Sequence, residues 1–167
     1  MSPTTMSEKD QFIQMWEQEF ATTSKVLHSC PPGKEDFRPA EKSRTTRELA
    51  WMFVLEEQVF DRVSAGPMEF KPLPPPPPVP LAEIIAMYEN NHRDIVKRVQ
   101  AAPADLFEQI INFPVGKGKM QDVPKRQVYW LMLLDSVHHR GQFSVYLRML
   151  DARVPSIYGG SLDEPWV

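Results

Sequence analysis

Within residues 123–152 one polar run, Asp135-Ser136-Val137-His138-His139-Arg140-Gly141-Gln142, interrupts a stretch that is otherwise strongly apolar. A carboxylate, two imidazoles, a guanidinium and an amide in eight residues are the groups from which metal and acid–base sites are made. Asp135 and His139 stand four apart, the spacing at which two side chains on one helical face converge on one ion. The same spacing equally serves an intrahelical hydrogen bond, and spacing alone leaves both readings open. His138 and His139 are about 100° apart on a helix, so the sequence does not say which of them faces inward.

The element that carries these groups is legible. Seven apolar residues, Val128 to Leu134, lead into the polar run, and a helical rhythm continues through Phe143, Tyr146, Leu147 and Leu150. About 27 residues at 1.5 Å each predict a rod of roughly 40 Å. On a 3.6-residue period Val128, Leu131, Asp135, His139, Gln142, Tyr146 and Met149 share a stripe, which sets polar groups in register with core residues. Burying such groups without partners costs roughly 2–7 kcal/mol each, so they must pair, hold water or bind something.

Three more helices are predicted around it. Residues 7–29 carry Phe12, Met15, Trp16, Phe20, Thr23, Val26 and Leu27 at steps of three and four, and Pro31-Pro32-Gly33 stops them. Thr45 and Glu48 form a capping-box signature, which starts a second helix running to Ala65. Its inner line is Leu49, Met52, Glu56, Val59 or Phe60, and Val63, so an acid again interrupts apolar residues. Glu57 is expected on the solvent face; a modest rotation would instead expose both acids. A third helix is predicted over 81–101, with His92 on a mixed face as a satisfied or half-exposed histidine rather than a ligand. Between the second and third, Lys71 to Pro80 cannot be helical and is expected as an extended polyproline spacer, suited to a long crossover. Residues 110–123 around Gly116-Lys117-Gly118 can pair as a short hairpin before the last helix. The expected fold class is therefore all-α, a four-helix bundle with a long crossover between helices 2 and 3, in one domain over 1–167.

With 167 residues, a formal charge of −3 and no basic block, nothing recommends nucleic acid. A single cysteine, Cys30, excludes an intramolecular disulfide framework, and no run reaches the length of a membrane span. We expect a soluble cytoplasmic protein without membrane contact, whose apolar tail and helical faces make it a homodimer. Cys30 has no basic neighbour closer than Lys34 and Lys25 and is not a nucleophile candidate.

Residues 138–149 (HHRGQFSVYLRM), the block 154–159 (VPSIYG) with Asp163-Glu164, and the helix entry at 44–51 (RTTRELAW) resemble the DinB/YfiT-like superfamily, and the resemblance spans most of the chain. It implies a four-helix bundle with a long link after the second helix. It also implies a divalent metal, nickel or zinc, on three histidines, one in the second helix and two spaced H-x-x-x-H in the fourth. Some members are thiol S-transferases and some resemble thiol-using maleylpyruvate isomerases, so a small thiol cosubstrate is implied too. His139 matches the last ligand, the position four earlier is Asp135, and the second-helix position is Met52. In the alternative frame ending at His138 the earlier position is Leu134. A metal site here is then rebuilt from His139, Asp135 and Glu56, one turn beyond Met52, with His138 as the alternate imidazole. Arg140 or Arg148 would meet a carboxylate of the cosubstrate. The rival expectation is a metal-free dimeric binding bundle, which the apolar Met52 favours.

Overall fold

The computed structural model describes residues 6–66 and 74–166. Its helices are α1 (Glu8–His28), α2 (Thr46–Ala65), α3 (Leu81–Ala101) and α4 (Lys125–Met149), with strands β1 (Ile110–Gly116) and β2 (Lys119–Pro124) between the last two. Ser7 caps α1 by accepting from the Asp10 amide. Thr45 and Glu48 close the predicted capping box on α2: the Thr45 hydroxyl accepts from the Glu48 amide at 3.1 Å and the Glu48 carboxylate from the Thr45 amide at 2.7 Å. Those bonds satisfy two of the amides that a helix start leaves without partners.

Side-chain burial sorts into two apolar clusters, and the sorting gives the direction of each helix. One cluster takes Phe12 and Trp16 of α1, Phe60 and Val63 of α2, Ile95 and Val99 of α3, and Val128, Tyr129 and Leu133 of α4. The other takes Val26 and Leu27, Leu49 and Phe53, Ile84 and Tyr88, and Phe143 and Leu147. Thus α1 and α4 run one way and α2 and α3 the other. Parallel neighbours cannot be joined by a tight turn, which explains the long crossover of residues 66–80. Over residues 74–80 it forms neither helix nor strand, and it is tied to α2 where the Trp51 indole donates to the Pro74 carbonyl at 2.8 Å. The expected spacer at 71–73 lies outside the described residues.

The hairpin also forms, so the chain is not all-α: β1 and β2 pair antiparallel from Ile110↔Pro124 to Gly116↔Lys119. Gly118 takes the turn at φ +68°, a conformation that side chains with a Cβ avoid. Ile111, Phe113 and Val123 turn their side chains into the first cluster, so the ribbon closes that end of the bundle. Phe12 is the hub there, with the rings of Trp16, Phe60, Phe107, Tyr129 and Trp130 all centred 5.2–5.7 Å away.

Between the clusters lies a layer of buried polar side chains: Glu19 and Thr23 of α1, Glu56 and Glu57 of α2, His92 of α3, and His139 and Arg140 of α4. On α4 the buried residues include Val128, His139 and Tyr146 of the predicted stripe, together with Tyr129, Leu133, Arg140, Phe143 and Leu147 beside it. Leu131 and Met149 of the predicted stripe are 51% and 54% exposed, and the Asp135 side chain is partly exposed, whereas His139 is buried. Seven consecutive apolar residues carry no phase, so the period alone cannot say which of them face inward.

Candidate metal centre

Glu56 is held on α2 between Leu55 and Glu57, with its side chain directed at α4; His139 answers from α4. The Glu56 Oε1 and His139 Nδ1 atoms are 2.6 Å apart and both residues are buried. Asp135, one turn earlier on α4, brings Oδ2 to 3.9 Å from the same nitrogen, and its side chain is 42% exposed. One ligand atom from each of Glu56, Asp135 and His139 falls within 4.8 Å of the others, so the structure brings these three together. It does not bring His138 to them. That ring is exposed and its Nε2 lies 2.9 Å from the Gln142 amide on the outer face of α4.

Burial pushes the Glu56 carboxyl up to about 7; His139 opposes this and the Asp135 charge adds to it. The second oxygen, Oε2, is buried with no hydrogen-bond partner. A carboxylate with one oxygen on an imidazole and the other vacant, facing a second carboxylate, is an incomplete set of hard and borderline donors. Two oxygens and one imidazole nitrogen fit a divalent cation such as zinc or nickel, and the orphan oxygen gives the cation a further donor. Met52 is half-buried one turn before Glu56, and its thioether adds no suitable donor.

Glu57, expected in solvent, is buried as deeply as Glu56. Its Oε1 accepts from the Trp16 indole at 3.0 Å and lies 3.1 Å from His92 Nδ1, so His92 is a buried core histidine, stacked on Phe20 at 3.7 Å and with its Nε2 left without a hydrogen-bond partner. Burial raises the Glu57 pKa, with His92 opposing. Glu56 faces α4 and Glu57 faces α3 because two consecutive helical residues point about 100° apart and α2 is walled on both sides. A lone acid beside another gives no hint of that double burial in the sequence; an indole and a histidine on two other helices supply the reason.

Arg140 is engaged within the fold. It is 1% exposed, its Nη2 lies 2.6 Å from Glu19 Oε2 and 2.6 Å from the Tyr158 hydroxyl, and its Nη1 donates to the Glu19 carbonyl at 3.2 Å. Arg148 is likewise engaged, 2.7 Å from Asp163 in the tail. Sequence reasoning missed Glu19, which sits among exposed polar neighbours on α1. Of the tail residues expected to pack, Ile157 joins the second cluster, whereas the Tyr158 and Trp166 side chains are anchored by their polar atoms and their rings stay largely exposed. Burial holds the Cys30 thiol up at about 11, with Glu35 adding to the shift, so it supplies no thiolate near neutrality.

Three comparisons place the chain. The DinB family model matches residues 1–165. The uncharacterized protein YrdA of Bacillus subtilis is 27% identical over 161 residues, covering 93% of this chain and 90% of YrdA. A DinB-like protein from Bacillus cereus superposes with a TM-score of 0.73 at 23% identity, over 88% of this chain and 95% of that one. YfiT from B. subtilis, described as a probable metal-dependent hydrolase with an unusual four-helix bundle topology, gives 0.69 at 13% identity over 90% and 93%. No described helix is long and apolar enough to cross a membrane. By the extent of the family match and the agreement of fold, this chain belongs to the DinB family.

Proposed function

We propose that the chain is a divalent-metal-dependent enzyme of the hydrolytic type, with Glu56, Asp135 and His139 holding nickel or zinc in place of the family's histidines. The observation that carries this reading is the convergence of three ligand atoms on one spot, two of them from buried residues. YfiT's description as a probable metal-dependent hydrolase supports it. A cation there supplies Lewis acidity and lowers the pKa of a small nucleophile, water or a thiol cosubstrate. The protein's own part is positional. Glu56 fixes the His139 ring through the 2.6 Å contact, and Asp135, at the solvent edge, is the group able to accept a proton from an incoming nucleophile. Charge balance favours a cation as well. The layer buries three carboxylates, and its one permanent cation, Arg140, is already neutralised by Glu19.

Protein purified without a metal-affinity tag is expected to carry close to one equivalent of nickel or zinc by elemental analysis, and Glu56→Gln or His139→Ala to carry less than a tenth. An empty wild-type protein that also fails to bind either ion in dialysis would sink the reading.

We also propose that the chain works as a homodimer paired through α4. Leu131, Leu134, Val145 and Met149 are each more than half exposed, and with His138 and Gln142 they follow steps of three and four along one side of the helix. That rhythm suits two helices packed along a seam. Light scattering at micromolar concentration should give twice the chain mass, and Leu134→Glu with Val145→Glu should give the single-chain mass. A wild-type monomer would refute it.

A further inference from the structure

The loop between α1 and α2 crosses the face where α2 meets α4, and beside it lies a cleft of about 400 Å³ whose walls include Arg38, Lys42, Arg44, Trp51, Met52 and Leu55. The cations of this groove, Arg38, Lys42 and Arg44, make no side-chain ion pair among the described residues; of the nearby acids, Glu35 accepts from the Leu81 amide and the exposed Asp36 lies 3.6 Å from Arg47. The one acid in the wall, Glu48, is bound into the capping box at the start of α2, whose backbone hydrogen bond holds its carboxyl below the usual range with the charges of Arg38 and Arg44 adding to the shift.

The apolar wall is held in place. The Trp51 indole is fixed by its bond to the Pro74 carbonyl, and Pro74 and Pro76 form the facing side. Met52 lies one turn, about 6 Å along α2, from Glu56. The groove therefore presents three cations at one end and an aromatic and thioether floor, with Glu56 one turn further along α2.

We propose that this groove binds a small amphipathic organic anion, a carboxylate or phosphate ester, with its charged head on Arg38, Lys42 and Arg44 and its apolar body on Trp51, Met52 and Leu55. The proposal rests on the reading of Glu56, Asp135 and His139 as the reacting centre and names the class of molecule brought to it. In a chain with a formal charge of −3, a local cluster of cations steers anions to one place. Met52, which contributes no suitable metal donor, acquires a role as the floor between head group and centre.

The test is calorimetric titration in chelator, so that the metal-free protein is measured and failure of the metal reading leaves the result interpretable. The probes are 4-phenylbutyrate, phenyl phosphate and the neutral 4-phenylbutan-1-ol. Both anions are expected to bind at least tenfold more tightly than the alcohol, with affinity falling as salt rises. The triple variant Arg38→Gln, Lys42→Gln, Arg44→Gln should lose that advantage and leave alcohol binding unchanged. Because all three residues are exposed, the variant is expected to keep its melting midpoint. Trp51→Ala should weaken all three probes. Equal binding of alcohol and anions, anion binding insensitive to the triple substitution, or no binding of any probe at millimolar concentration overturns the proposal.

Discussion

Nickel or zinc at one hundred times its Kd is expected to raise the melting midpoint by about 5–10 °C at pH 8 and by far less at pH 5.5. A ligand at that excess adds about 2.7 kcal/mol, and a domain of this length shifts by roughly 2–4 °C per kcal/mol. The pH dependence follows from Glu56, whose carboxyl burial pushes up to about 7. A cation needs that group ionised, so at pH 5.5 it must displace a proton and at pH 8 it need not. The metal-free protein should show the opposite trend. A carboxyl raised on folding contributes stability that is complete below its unfolded value of 4.5 and is lost as pH climbs through about 7. Over that window the loss is on the order of 3 kcal/mol. Glu56→Gln should flatten the metal-free profile and abolish the response to metal. A metal-induced rise of equal size at both pH values, or one surviving in Glu56→Gln, would refute the assignment.

Replacing Arg140 with methionine is expected to cost about 3–5 kcal/mol, because removing one partner leaves a buried charge without compensation. Here the orphan is Glu19, which with Arg140 gone keeps only the Tyr158 hydroxyl, at 2.8 Å. For a chain of this size that is roughly 10 °C or more in melting midpoint. The double variant Arg140→Met, Glu19→Met should recover most of the loss, since apolar side chains of similar volume often replace a buried pair without penalty. Denaturant unfolding of both variants measures this. If Arg140→Met falls within 1 kcal/mol of wild type, the pair is not what it looks like in the structure.

Helix boundaries were legible because punctuation and period agree: Thr45 with Glu48 at one start, the proline run at another, and Pro103 after α3. Glu56 and His139 were legible as acid and base interrupting apolar lines. The phase of α4 was not, since residues 128–134 are apolar on every side. Glu57 and Arg140 were misplaced for a related reason. Sequence rules send charged residues outward unless paired, and the partners that bury these two lie on other helices. Glu56 shows what spacing can reach: the sequence set it one turn beyond Met52 as a partner for Asp135 and His139, and the structure brings those three together.

The polar layer between the two apolar clusters has a consequence for how the helices are aligned lengthwise. Glu56 with His139 ties α2 to α4, Glu57 with His92 ties α2 to α3, and Glu19 with Arg140 ties α1 to α4. Sliding any helix by a turn would set a charge against hydrocarbon on its neighbour, a mismatch that greasy side chains alone would not penalise. These pairs act as keys cut at one height, so the level at which chemistry is proposed is also the level at which the rods lose their freedom to slip.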